Sequence, residues 1–263
     1  IRIVKGDIRK IEDITKYLPG NDIVIHLAAK ISVNESITNP EETFEVNVKG
    51  TENVLNASIA NNIKKFFTFS SAAVYGNNKN PDHISKEDDK LISISPYGES
   101  KIKMEEVVYR ICKNQSIDSV IFRLFNVYGK GQSKEYAGVI SKFAENIEKN
   151  EQLIIYGNGE QSRDFIAIED IIDLIQKIII SNLNKNFEIY NLGFGTHTSI
   201  LKLADIMIKL SDKKILKSFH DEREGDILHS TASIKKAKQE LGFNPKIPLK
   251  EGLRKFVKSH NDL

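Results

Sequence analysis

Short runs of β-branched and aromatic residues alternate with longer stretches of helical periodicity through the first half of this chain, and few folds accommodate that rhythm. Residues 1–4, 23–27, 65–70 and 119–124 read as strands. Residues 11–17, 41–61 and 96–113 read as helices, the last opening on Pro96, where a missing N–H costs nothing. Strands alternating with helices in this way predict an α/β fold: a doubly wound parallel sheet with helices on both faces. After Asn126 the rhythm loosens. Helices are expected at 139–149, 169–181, 200–210, 233–241 and 249–259, and strands at 153–156 and 187–192. Gly157-Asn158-Gly159 marks a turn. The C-terminal third therefore reads as a second, smaller lobe.

Bulk properties narrow the function classes. The 263 residues suffice for one large domain, or for one domain and a smaller lobe. Lys and Arg nearly balance Asp and Glu, for a formal charge of +2, and the charges are scattered. A nucleic-acid binder would cluster its basic residues on one face. No apolar run approaches the ~20 residues of a membrane span. The start has neither the basic head nor the apolar middle of a signal peptide. The single cysteine, Cys112, allows no intrachain disulfide and suits a reducing cytoplasm. The six histidines show no paired metal spacing, so no metal site is expected, and His26 fits the buried end of a strand.

Tyr97 and Lys101 lie four residues apart on a predicted helix and share a face. A tyrosine with a pKa of about 10 needs a drop of roughly three units, or ~4 kcal/mol, to act as a base near neutrality. One cation ~4 Å away supplies about that much at an effective dielectric near 20. The same spacing also describes an exposed Tyr and an exposed Lys. Upstream, a strand runs into Ser70-Ser71, and parallel sheets bind ligands at the C-terminal ends of their strands. Ser71 either meets a substrate hydroxyl there or closes the strand and caps a turn. Asn126 follows another strand end.

Taken together, Asp7-Ile8-Arg9, His26-Leu27-Ala28-Ala29, Asn47 with Gly50-Thr51, Ser70-Ser71, Tyr97 to Lys101, Asn126-Val127-Tyr128-Gly129, Arg163-Asp164-Phe165 and Arg223-Glu224-Gly225-Asp226 resemble the NAD-dependent epimerase/dehydratase family of extended short-chain dehydrogenases. The similarity spans essentially the whole chain and points to the UDP-glucose 4-epimerase branch. It implies a Rossmann-like domain over residues 1–124 and 164–192, and a sugar-nucleotide-binding lobe over 125–163 and 193–263. It also implies NAD as cofactor, a nucleotide-sugar substrate and a homodimer joined through helices 41–61 and 96–113. Asp7 and Ile8 are expected to flank the adenine, and Leu27, Ala28, Ala29 and Lys30 to line the cofactor, with Asn47 supporting that wall. Tyr97 is the expected acid/base. Lys101 is expected to bind the nicotinamide ribose and lower the Tyr97 pKa, and Ser71 to orient the sugar hydroxyl. Asn126, Arg163 and Arg223 are expected on the diphosphate, because a guanidinium fork suits phosphate. Asp226 is expected on the nucleoside side, and Ser230 at the limit of the sugar pocket.

The resemblance also separates reaction types. Dehydratases of this family carry an Asp-Glu pair where this chain has Ala72-Ala73, which favours C4 epimerisation through a 4-keto sugar without elimination. A reductase, a decarboxylase or a non-catalytic Rossmann-like binding protein are the alternatives. The family's glycine-rich phosphate loop does not precede Asp7. A fragment of a longer protein is expected, with a short form that binds NAD poorly as the other explanation.

Overall fold

The computed structural model describes residues 1–132, 138–181, 186–222 and 226–261. Its elements are α1 (Ile11–Thr15), β1 (Ile23–His26), α2 (Val33–Thr38), α3 (Pro40–Phe44), a π-helical turn (Glu45–Gly50), α4 (Thr51–Ala60), β2 (Lys65–Ser71) and a 3-10 turn (Ala72–Tyr75). Then come α5 (Pro96–Cys112), β3 (Asp118–Leu124), β4 (Asn126–Tyr128), α6 (Val139–Glu148), β5 (Leu153–Tyr156), β6 (Ser162–Ala167) and α7 (Ile168–Ile180). The chain ends with β7 (Glu188–Leu192), β8 (His197–Ser199), α8 (Ile200–Ser211), β9 (Lys217–His220), β10 (His229–Ser230), α9 (Lys235–Leu241) and α10 (Leu249–Asn261).

Two compact units emerge. The first comprises residues 1–76, 90–123 and 178–190. Its sheet has the order β1-β2-β3-β7, and β1 and β2 run parallel from Ile23 opposite Lys65 to His26 opposite Thr68. Leu55, Phe66, Val108 and Ile121 are fully buried in a core that α4 and α5 share with the sheet. Local sequence sets the helix starts. Ser95 caps α5 by accepting from Gly98 N at 3.1 Å, with Pro96 in the first turn. Asn39 caps α3 likewise, ahead of Pro40.

The second unit comprises residues 77–89, 124–177 and 191–263. Strand β6 is its spine: β10 and β4 pair with it in parallel and β8 antiparallel. Strands β5 and β9 form a separate parallel pair. Phe143 of α6, Leu203 and Met207 of α8, and Leu253 of α10 bury themselves with Leu153 and Ile155 of β5.

Several sequence expectations are corrected. Residues 1–4 form no strand, because β-structure requires a neighbour to complete its ladder and none is paired there; Ile1 and Ile3 are exposed. The helix expected over 41–61 is broken by the π-helical turn. Strand β6 escaped notice because Arg163 and Asp164 interrupt its apolar pattern, and β4, β8 and β10 because each has only two or three residues. The second unit takes in residues 77–89 and 164–177, and every strand partner of β6 belongs to it.

Gly252 illustrates how tightly the second unit is packed. A Cβ on this α10 residue would overlap the Tyr128 hydroxyl oxygen and lie 2.8 Å from its Cζ. The Tyr128 hydroxyl is itself buried without a hydrogen-bond partner among the described residues, so it has no polar contact to trade against a shift. Gly252→Ala is expected to lower stability by about 1–3 kcal/mol, outweighing the ~1 kcal/mol that alanine gains over glycine in a helix. A lower urea midpoint at unchanged slope checks this; an unchanged or raised midpoint contradicts it.

Candidate active site

In the first unit, β2 runs into Ser71, which accepts from Ala73 N at 3.2 Å and so caps the 3-10 turn. Tyr97, at the start of α5, is buried, and Ser71 is the side chain that offsets part of the effect of burial on its hydroxyl. Gly98 lets the start of the helix lie close to the serine turn: a Cβ there would clash with Ser93 Oγ and sit 2.8 Å from the Ala73 carbonyl oxygen. Tyr97 N also donates to Ser36 Oγ at 3.0 Å, tying the start of α5 to α2.

Lys101 lies one turn further along α5 and is 4% exposed. Its Nζ donates to the Phe69 carbonyl at 2.9 Å, beside Met104 Sδ at 3.9 Å. Burial pulls the Lys101 pKa down to about 8, and the Glu105 carboxylate opposes that pull. Burial pushes the Tyr97 pKa above its ordinary value, and Ser71 acts the other way. To work as a base Tyr97 needs a further positive charge.

Asn47, carried by the π-helical turn, is saturated. Its side chain accepts from Lys30 N at 2.8 Å and donates to Lys30 O and to Ser100 Oγ, both at 2.9 Å. Ser100 Oγ in turn donates to Tyr97 O at 2.7 Å. One amide thus couples the backbone after β1 to the helix that bears Tyr97 and Lys101, and π-helical turns recur at functional sites for such reasons. Asp7, Ile8, Ala28 and Lys30 line a groove of about 500 Å³ with Val46 and Glu42. Asp7 is gripped by Arg9, whose side chain holds the carboxyl down to about 2. Lys30 pairs with Glu42 at 3.2 Å. Leu27 is exposed just past β1 and Ala29 is half-buried; neither lines that groove.

In the second unit, Asn126, Arg163 and Asp226 line one cavity of about 520 Å³. Arg163 Nη2 meets Asp226 Oδ1 at 2.6 Å. Ser230 is buried opposite Arg163 in the β10–β6 register but does not line that cavity. Arg223 lies outside the described residues. Sequence reasoning missed the apolar and polar walls supplied by Phe143, Ile154, Tyr156 and Gln161. The turn at Gly157-Asn158-Gly159 was the available signal, because Tyr156 and Gln161 flank it and Gln161 Nε2 closes it on Tyr156 O at 2.7 Å. Asp164 was also left without a role. Its carboxylate accepts from Phe194 N, Gly195 N and Ala232 N at 2.7, 3.0 and 3.0 Å. Burial pushes its pKa up to about 6 against those three donors.

Comparison with known proteins follows the same lines. Residues 1–193 match the model of the NAD dependent epimerase/dehydratase family, and the chain belongs to that family. A putative UDP-glucose 4-epimerase of Methanocaldococcus jannaschii is 37% identical, over 97% of this chain and 82% of the relative. Among solved structures, the UDP-N-acetylglucosamine 4-epimerase of Methanobrevibacter ruminantium, in complex with UDP-N-acetylmuramic acid, superposes with a TM-score of 0.91 at 35% identity, over 99% of this chain and 83% of that one. The UDP-glucuronic acid 4-epimerase of Bacillus cereus, in complex with UDP-glucuronic acid and NAD, gives 0.87 at 30% identity, over 95% and 80%. No helix among the described residues is long and apolar enough to cross a membrane.

His26 yields a test of the first unit. Thr51 Oγ1 donates to Asn47 O at 2.7 Å, so it must accept from His26 Nε2–H at 2.9 Å. Burial disfavours the imidazolium and, with repulsion from Lys101, pulls the His26 pKa down to about 4. The unfolded chain takes up the proton near pH 6.5 and the folded one does not. Stability present above pH 6.5 is therefore lost as pH falls toward 4, by up to about 3 kcal/mol. Urea melts between pH 7 and 4 are expected to show this slope, and His26→Gln to flatten it. An equally steep slope in the variant would contradict the assignment.

Proposed function

We propose that this protein interconverts C4 epimers of a UDP-sugar, with NAD as resident cofactor and no net redox change. The observation that carries the reading is the buried ammonium of Lys101, fixed on Phe69 O one helical turn beyond the buried Tyr97 on α5. The relatives' activities support it.

The groove lined by Asp7, Ile8, Ala28 and Lys30 fits NAD, with the apolar Ile8 and Val46 suited to an adenine face and small Ala28 allowing close approach. Leu27 and Ala29 extend this wall, and Asn47 holds it through Lys30. Bound NAD supplies the hydride acceptor and donor for C4, and its oxidised ring supplies the positive charge that Tyr97 lacks. Ser71 Oγ holds the C4 hydroxyl and Tyr97 Oη takes its proton. The Lys101 ammonium favours the phenolate that accepts this proton. Tyr97 Oη returns the proton once the 4-keto sugar has turned over. Asn126, Arg163 and Arg223 take the diphosphate, Asp226 the nucleoside side. For Arg163 this means sharing its fork between phosphate and Asp226. Ala72 and Ala73, directly after Ser71, bring no acid or base to expel water from the sugar, which disfavours a dehydratase. The reading includes a cytoplasmic homodimer joined through α4 and α5, and the lone Cys112, buried, accords with a reducing compartment.

The full-length protein is expected to equilibrate UDP-glucose and UDP-galactose without accumulating NADH. Tyr97→Phe is expected to lower kcat by about 10²–10⁴-fold. A 4-keto-6-deoxy product would instead mark a dehydratase, and full turnover by Tyr97→Phe would overturn the mechanism.

Ser230 sets the second element of the reading. A small side chain there admits N-acetylated sugars, so UDP-GlcNAc and UDP-GalNAc are expected substrates as well. Ser230→Tyr is expected to abolish turnover of the N-acetylated pair and spare the other. Equal loss on both pairs contradicts the assignment.

A further inference from the structure

The first unit buries an ion pair that the proposed chemistry does not use. Arg123, at the end of β3, and Glu105, on α5, are 2% and 4% exposed. Arg123 Nε donates to Glu105 Oε1 at 3.0 Å and Nη2 to Oε2 at 2.7 Å. Neither side chain has a part in binding the sugar or the cofactor in the mechanism above. A buried pair of this kind is often no more stabilising than well-packed apolar residues of similar volume, so stability alone is a weak account of it.

Its third contact supplies a better one. Arg123 Nη1 donates to the Tyr75 hydroxyl at 2.8 Å, and the guanidinium carbon lies 5.1 Å from the Tyr75 ring centroid. Tyr75 closes the 3-10 turn that Ser71 opens. Glu105 lies one helical turn beyond Lys101, which is itself one turn beyond Tyr97. Ser71 and Tyr97 therefore belong to two separate elements, and the Arg123 fork holds both. A guanidinium suits this because its donors are fixed in one plane; an ammonium would carry the charge without the geometry.

We propose that Arg123 is a positioning residue for the Ser71–Tyr97 pair, spanning Glu105 on the catalytic helix and Tyr75 on the serine turn so that the two hydroxyls stay in register. The proposal rests on the reading of Ser71 and Tyr97 as the reacting pair. It adds a second function for Glu105, whose carboxylate stands behind the Lys101 ammonium and is compensated by Arg123.

Tyr75→Phe is the mildest test, since it removes one hydroxyl and keeps the ring. Tyr75→Phe and Arg123→Lys are compared with wild type in the full-length chain, with Ser71→Ala and Tyr97→Phe as references. Turnover of UDP-glucose gives kcat and KM. The ¹³Cζ resonance of Tyr97 in tyrosine-labelled protein, identified by its loss in Tyr97→Phe, reports the surroundings of the Tyr97 hydroxyl, Ser71 among them, and needs no turnover. For Tyr75→Phe the expected result is an unchanged melting temperature, kcat lower by roughly ten- to a hundredfold, an unchanged KM, and a Tyr97 resonance moved toward its position in Ser71→Ala. Arg123→Lys is expected to move the resonance in the same direction. A Tyr97 resonance at its wild-type position in Tyr75→Phe overturns the positioning role, whatever the activity. An inactive wild type, or a fully active Tyr97→Phe, overturns the epimerase reading instead and leaves the resonance to decide the positioning role.

Discussion

A positive charge buried at Lys101 is the constraint around which the first unit is organised. An ammonium withdrawn from water must be repaid in hydrogen bonds and counter-charge. The strand carbonyl of Phe69 supplies the first and Glu105, a turn along the same helix, the second. Glu105 is buried in its turn and requires Arg123, which then reaches Tyr75. Removing one member of such a buried pair typically costs about 3–5 kcal/mol. The chain of compensation thus leads from the lysine back to the turn that presents Ser71. The charge that the proposed chemistry uses and the contacts that hold its neighbours are parts of one network.

The sequence made the fold class legible because the alternation of strand and helix is a local signal. The pairing of Tyr97 with Lys101 was equally local: a four-residue spacing behind Pro96 places both on one face. Ser71 carried two readings, a capping serine and a substrate-facing one. The hydroxyl accepts from Ala73 N and so caps the 3-10 turn, as the first of those readings has it. The effect of burial on the Tyr97 pKa was not legible, because spacing reveals a neighbouring cation but not the depth of burial.

Long-range pairings were not legible. Glu105 and Arg123 lie 18 positions apart, and nothing local announces their contact. The available hint was an arginine inside an otherwise apolar strand, since an unpaired charge is not tolerated there. Residues 1–4 failed in the opposite way. Their composition suits a strand, but a strand is a property of a pair. The resemblance implied that Asn47 supports the cofactor wall, but not through which contacts. Its three hydrogen bonds to Lys30 and Ser100 depend on the π-helical turn, which no periodicity argument anticipates.

Asp164 has a consequence for how the second unit is held. One carboxylate collects amides from Phe194 and Gly195 at one side and from Ala232 at the other. The excursion between them, which includes α8, β9 and Ser230, is moored at both ends to a single point on β6. Between those moorings β8 and β10 pair with β6, and Leu203 and Met207 of α8 pack into the core. Ser230 and Arg163, opposite one another in the β10–β6 register, are thereby held in one fixed relation.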